Sequence, residues 1–175
     1  MPAASLRSTS TPLYTVDQRQ RRDSTRWTLV QGILAPVQFA VFLISLALVV
    51  RFLANGEGQL AATVSVVIKT LVLYTIMVTG AIWEKVVFGR YLFAPAFFWE
   101  DVVSMLVLAL HTAYLAALFF GFLSVTGQML LALAAYATYV INATQFVLKL
   151  RSARLQRPSG TAGTMVRSSF REARI

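Results

Sequence analysis

Glu84, Glu100 and Asp101 are the residues on which proton chemistry can be built in this sequence. All three fall within one stretch, Trp83–Asp101, which joins two strongly apolar segments. It reads W-E-K-V-V-F-G-R-Y-L-F-A-P-A-F-F-W-E-D and also holds Lys85, Arg90, Tyr91 and Trp99, while the apolar body around it is almost free of charge. Desolvation raises the pKa of a carboxyl group towards neutrality, which suits it to give or take a proton. Glu84 and Glu100 stand at facing ends of the two segments, so Glu100 is the expected acid and Glu84 the expected base, with the roles exchangeable. Asp101 follows Glu100 directly, and at about 100° per residue the two point to different sides of a helix. Asp101 is therefore the reserve. The plainer alternative is that Glu84 and Glu100, each preceded by a tryptophan as interfacial anchors are, simply pair Lys85 and Arg90.

Lys69 and His111 lie further from the ends. Lys69 is fifteen positions before Glu84 and His111 eleven after Glu100, which by helical rise puts them about 22 and 17 Å from those acids. Glu100, Ser104 and His111 share one helix face, since offsets of four and eleven return to the same side. An ionisable group at such depth faces the interior or a cavity by default. Lys69 has the alternative of snorkelling outward, and a neutral His111 that of joining two helices. The sharper option for His111 is an axial ligand to a metal macrocycle. Gln31, Gln38 and Ser45 recur every seven residues on one face, and Thr138, Asn142 and Gln145 close the last apolar segment. Together these groups outline a polar cavity, although amides and hydroxyls also serve simply to bridge helices.

The elements that must position these residues follow from composition. Of 175 residues, 57% are hydrophobic and 13% charged, with a mean hydropathy of +0.66, which points to a membrane protein. Four apolar spans, at about 27–53, 60–83, 95–123 and 128–148, are each long enough for a hydrocarbon core of about 30 Å. The expected fold is all-α: a polytopic four-helix transmembrane bundle (27–148), with a disordered and basic tail at 1–26, whose basic stretch Asp17–Arg26 is expected to start a surface helix against lipid headgroups, and a second basic tail at 149–175. Pro36 is expected to kink the first span.

Lysine and arginine number five in the first tail, two in the 84–95 loop and seven in the last tail. The other two loops hold one, Arg51, and Lys69 lies within a span. That asymmetry places both termini and the 84–95 loop in the cytoplasm. It also assigns the net charge of +9 to topology and anionic lipid rather than to nucleic acid. The absence of cysteine and the single histidine exclude disulfides, thiolate metal sites and a multi-histidine metal centre within one chain.

The run I-W-E-K-V-V-F-G-R-Y-L-F-A-P-A-F-F-W-E-D-V-V-S-M-L-V-L-A-L-H-T-A-Y (82–114) resembles the 3-vinyl (bacterio)chlorophyllide hydratase family of anoxygenic phototrophs. The likeness continues through W-T-L-V-Q-G-I-L-A-P-V-Q-F (27–39), V-V-I-K-T-L-V-L-Y (66–74) and A-A-Y-A-T-Y-V-I-N-A-T-Q-F (134–146), covering about residues 14–155. It implies hydration of the C3 vinyl group of a chlorophyllide or 3-vinyl bacteriochlorophyllide to a 1-hydroxyethyl group, on the route to bacteriochlorophyll a. It also implies no external cofactor and residence in the bacterial cytoplasmic or intracytoplasmic membrane. The partners would be the Mg-tetrapyrrole, water and lipid, with a second copy or neighbouring pathway enzymes as further contacts. Chemistry then assigns Arg90, Lys85 or Lys149 to the substrate propionate and His111 to the magnesium or a ring carbonyl. Lys69, Gln38, Asn142 and Gln145 would supply polar contacts, and Trp83, Tyr91 and Trp99 flat walls. The rivals are a non-catalytic tetrapyrrole carrier and a photosystem assembly subunit.

Overall fold

A computed structural model describes residues 13–155. Within them the chain is all helical: α1 (Val16–Ser24), α2 (Arg26–Asn55), α3 (Gln59–Phe88), α4 (Phe98–Phe120) and α5 (Val125–Leu155). Helices α2 to α5 are long and apolar enough to cross a membrane. At 30 residues, α2 extends about 45 Å, so its ends pass beyond a hydrocarbon core of about 30 Å. It remains one helix through Pro36.

Local chemistry sets the breaks. Thr15 and Gln18 form a capping box at the start of α1, satisfying two backbone N–H groups that the first turn leaves free. Thr25 ends α1 and caps α2, its side chain accepting from the Trp27 N–H. Gly89 closes α3 at φ 83°, a left-handed geometry that glycine adopts without steric cost. Ser124 caps α5 by accepting from the Gly127 N–H.

Helices α2 and α3 pack along their lengths, as do α4 and α5; α2 also meets α5, whereas α3 and α4 touch over a short stretch. The shared core is Phe42, Val49, Ala62, Val66, Leu73, Val107, Tyr114, Met129, Ala132 and Tyr136. Ala62, Ala132 and Ala135 are fully buried, and side chains this small let backbones approach closely where lipid removes any hydrophobic drive between helices. The outer faces carry Ile44, Leu71, Leu106 and Ile141, all more than half exposed, as a lipid-facing surface requires.

Two differences from the sequence reading concern the ends. α1 falls on the basic stretch expected to start a surface helix, but it packs against α3, and Tyr14 before it, expected in a disordered stretch, is 4% exposed. Tyr14 stacks on Phe88 and approaches Phe97, and the Arg22 guanidinium lies 4.8 Å from its ring centre. The fourth span continues past Leu148 as helix to Leu155. Residues 1–12 and 156–175, the outer parts of the two expected tails, lie outside the described residues.

Candidate active site at the α3–α4 hairpin

The end of α3, the 89–97 loop and the first turn of α4 bring two carboxyl groups together, and they are Glu84 and Asp101. They lie close enough for their charges to interact, and each is at most 5% exposed. The loop fastens both. The Phe93 N–H donates to Asp101 Oδ2 at 2.8 Å, and the next N–H, that of Ala94, donates to Glu84 Oε2 at 3.3 Å. Phe93 reaches this position with φ 59°, a left-handed conformation that costs a bulky residue about 1–2 kcal/mol and must be offset by its surroundings. Two neighbouring carboxyl groups repel one another when both are charged.

Facing ends of two helices suggested Glu84 with Glu100, and the structure corrects that pairing. Glu100 turns to α5, where Lys149 Nζ donates to its Oε2 at 2.8 Å. Neighbouring residues do point to different sides of α4, as expected, but the side that meets α3 is the one carrying Asp101. The alternative pairing of the two acids with Lys85 and Arg90 does not occur: Lys85 donates to the Gly89 carbonyl, and Arg90 forms no ion pair among the described residues. Lys149 Nζ also lies 5.4 Å from the Phe97 ring.

The aromatic residues divide. Trp83 donates from Nε1 to Thr28 Oγ1 at 2.9 Å and packs edge-on to Phe88 and Phe97. Tyr91 and Trp99 are 61% and 69% exposed, and Lys85 Nζ lies 5.3 Å from the Tyr91 ring. Tyr14, which sequence reasoning did not select, closes this cluster from the N-terminal side. It lies in a short stretch of mixed polar and apolar residues (Pro12, Leu13, Thr15, Val16) with no helical periodicity to mark it.

The other expected residues form a separate seam inside the bundle. His111 and Lys69 are fully buried, and Gln38 is 1% exposed. His111 Nδ1 meets the Val107 carbonyl at 2.8 Å, and Lys69 Nζ sits 3.9 Å from the Tyr139 ring centre, so Lys69 does not snorkel outward. Asn142 donates to Ser104 Oγ at 2.8 Å. Lys69 Nζ, His111 Nε2, both polar atoms of the Gln38 amide, Asn142 Oδ1 and Gln145 Oε1 have no hydrogen-bond partner among the described residues. Glu100, Ser104 and His111 do share a face, and it is turned towards α5, away from the Glu84–Asp101 pair. No group of three or more metal-binding side chains exists among the described residues.

The family model for 2-vinyl bacteriochlorophyllide hydratase (BCHF) matches residues 14–152. The 2-vinyl bacteriochlorophyllide hydratase of Rhodobacter capsulatus is 67% identical over 166 residues, covering 95% of this chain and 96% of that protein. The protein of the same name from Cereibacter sphaeroides is 74% identical over 144 residues, covering 82% and 89%. No solved structure matches the chain.

Proposed function

The chain belongs to the 2-vinyl bacteriochlorophyllide hydratase family, and from that membership we propose how its carboxylates carry the reaction. The enzyme adds water across the vinyl group of a bacteriochlorophyllide-type macrocycle, in the biosynthesis of bacteriochlorophyll. The vinyl position is numbered 2 in the relatives' name and 3 in the systematic numbering of the ring.

The observation that carries the mechanism is the buried pair of Glu84 and Asp101, fixed by two consecutive loop N–H groups. The carboxylic acid of the pair gives its proton to the terminal vinyl carbon. The positive charge then rests on the carbon next to the ring, where the macrocycle's π-system delocalises it. The carboxylate left behind takes a proton from water as the water oxygen bonds to that carbon. The product is the 1-hydroxyethyl group, and the pair again holds one proton. General acid–base catalysis of this kind contributes about 10²- to 10⁴-fold. Keeping bulk water away protects the cation from side reactions, and the aromatic cluster around Phe97 provides that cover. Glu100 is held in an ion pair with Lys149. In this reading Glu100 does not donate the proton, and Asp101, the reserve of the sequence reading, takes its place beside Glu84.

The topology belongs to the same proposal. Both termini and the 89–97 loop face the cytoplasm, the four spans cross the cytoplasmic or intracytoplasmic membrane, and the basic ends rest on anionic lipid. The substrate enters from the cytoplasmic leaflet with its propionate at Arg90 or Lys85 and its rim against Tyr91, Trp83 and Trp99. The inner seam of Gln38, Lys69, His111, Asn142 and Gln145 offers a rival seat, in which His111 Nε2 would take the magnesium.

The test is hydration of a 3-vinyl chlorophyllide by purified protein in detergent, read by the blue shift that follows loss of vinyl conjugation. Glu84→Gln and Asp101→Asn should each lower kcat by about 10²- to 10⁴-fold while pigment binding persists. Full turnover in both variants would remove the pair from the mechanism.

A further inference from the structure

Three of the chain's seven acids gather at the α3–α4 hairpin, and among the described residues one cation forms an ion pair with any of them. That cation is Lys149, whose Nζ donates to Glu100 Oε2 at 2.8 Å. Lys85 is engaged by the Gly89 carbonyl and lies against the Tyr91 ring, Arg90 is exposed, and Arg22 pairs Asp23. Glu100 is 7% exposed and Asp101 3%, so little water screens one from the other. A charge on Glu100 that was not paired would act strongly on its neighbour.

Packing fixes the cation there. Phe146 and Lys149 are three residues apart and so share a face of α5. The Phe146 ring stacks on Phe97 with centres 5.8 Å apart, and Lys149 Nζ lies 5.4 Å from the same Phe97 ring. Phe97 is 1% exposed, and its carbonyl accepts from the Asp101 N–H at 2.9 Å. The end of α5 therefore closes on the turn of α4 that carries both acids. Asp101 neighbours Glu84 on one side of that turn, and the Glu100–Lys149 ion pair occupies another. Both charges of the ion pair act on Asp101, with opposite effect: the Glu100 carboxylate opposes its ionisation and the ammonium favours it.

We propose that Lys149 is a positioning residue for the hydration: by pinning and neutralising Glu100, it sets the pH range over which the Glu84–Asp101 pair holds one proton. The inference rests on the acid–base reading of that pair and extends the site to α5. Glu100 alone would add a negative charge beside the pair, which would then keep its proton to higher pH and release it less readily to the vinyl carbon. Lys149 alone would do the reverse, drawing the pair towards full ionisation and leaving no acid to start the reaction. Together the two charges nearly cancel at Asp101. Lys149 is thereby assigned to the protein's own carboxylate, and the substrate propionate stays with Arg90 or Lys85.

The experiment records kcat for 3-vinyl chlorophyllide hydration against pH, using the full chain in detergent, with pigment binding measured separately by absorption. Lys149→Met should move the alkaline limb of the profile up by about 0.5–1 pH unit, and Glu100→Gln should move it down by about as much. The double variant should return the limb close to its wild-type position, and Lys149→Arg, which keeps the charge, should leave it there. General damage to the fold would not shift the limb in opposite directions, nor be repaired by combining the two changes. Single variants that shift the limb the same way, or leave it in place, would overturn the proposal. So would weaker binding of the free-acid pigment to Lys149→Met with binding of its propionate methyl ester spared, since that result gives Lys149 to the substrate. Full turnover in Glu84→Gln and Asp101→Asn would instead remove the acid–base reading itself. Loss of turnover in those two, with unmoved limbs in Lys149→Met and Glu100→Gln, would sink this inference alone.

Discussion

The three carboxylates show how one residue of sequence separation changes a chemical role. Glu100 and Asp101 are adjacent, yet one is held by the Lys149 ammonium and the other by the Phe93 N–H and Glu84. The first is an ion pair, and the second sits beside another acid on a loop N–H. Glu100→Gln strands the Lys149 ammonium at a partly buried site, and a hydrogen bond to a charged group contributes about 1.5–3 kcal/mol. Thermal or denaturant unfolding in detergent should show a loss of that size, and adding Lys149→Met should restore part of it, because the two changes share one interaction. Turnover of Glu100→Gln should fall less than that of Glu84→Gln; an equal or greater fall would return the proton to Glu100. At this scale the sequence made the candidates legible through their rarity in an apolar chain. It could not say which acid met which, because that depends on the rotation of α4 about its axis.

Elements add the constraint that turns these residues into a site. The 89–97 loop is short, begins at a left-handed Gly89 and bends again at Phe93, so that two successive N–H groups point back at the helix ends. Over it lies the segment from Leu13 to Ser24, anchored by Tyr14 between Phe88, Phe97 and Arg22. Tyr14→Ala should release that segment while leaving the four long helices in place. Amide hydrogen exchange should then speed up in α1 by at least tenfold, the effect of losing about 1.4 kcal/mol of local stability. Unchanged exchange there would mean that α1 is held by its contacts with α3 alone. Polarity and charge at 1–26 read as a tail because single buried aromatic residues leave no periodic trace. Only the arrangement of their partners, which come from α3 and the 89–97 loop, reveals the docking.

For the whole molecule, the basic residues at both ends and in the 84–95 loop imply one orientation in the membrane. The chain has no cysteine, so single cysteines report accessibility without background. Glu57→Cys should react with a membrane-impermeant maleimide added outside intact spheroplasts, and Arg90→Cys should react only after the cells are opened; the reverse pattern would invert the proposed topology. Span number, helical class and polar candidates were all readable from the sequence, because hydrophobic length, charge asymmetry and residue rarity are properties of the chain itself. Family-specific segments carried the substrate in the same way. Tertiary structure alone decided that Glu84 neighbours Asp101, that Lys149 takes Glu100 and that His111 faces α5. Those outcomes depend on how far each helix is turned and how closely neighbours approach, and helical periodicity fixes faces only relative to their own axis.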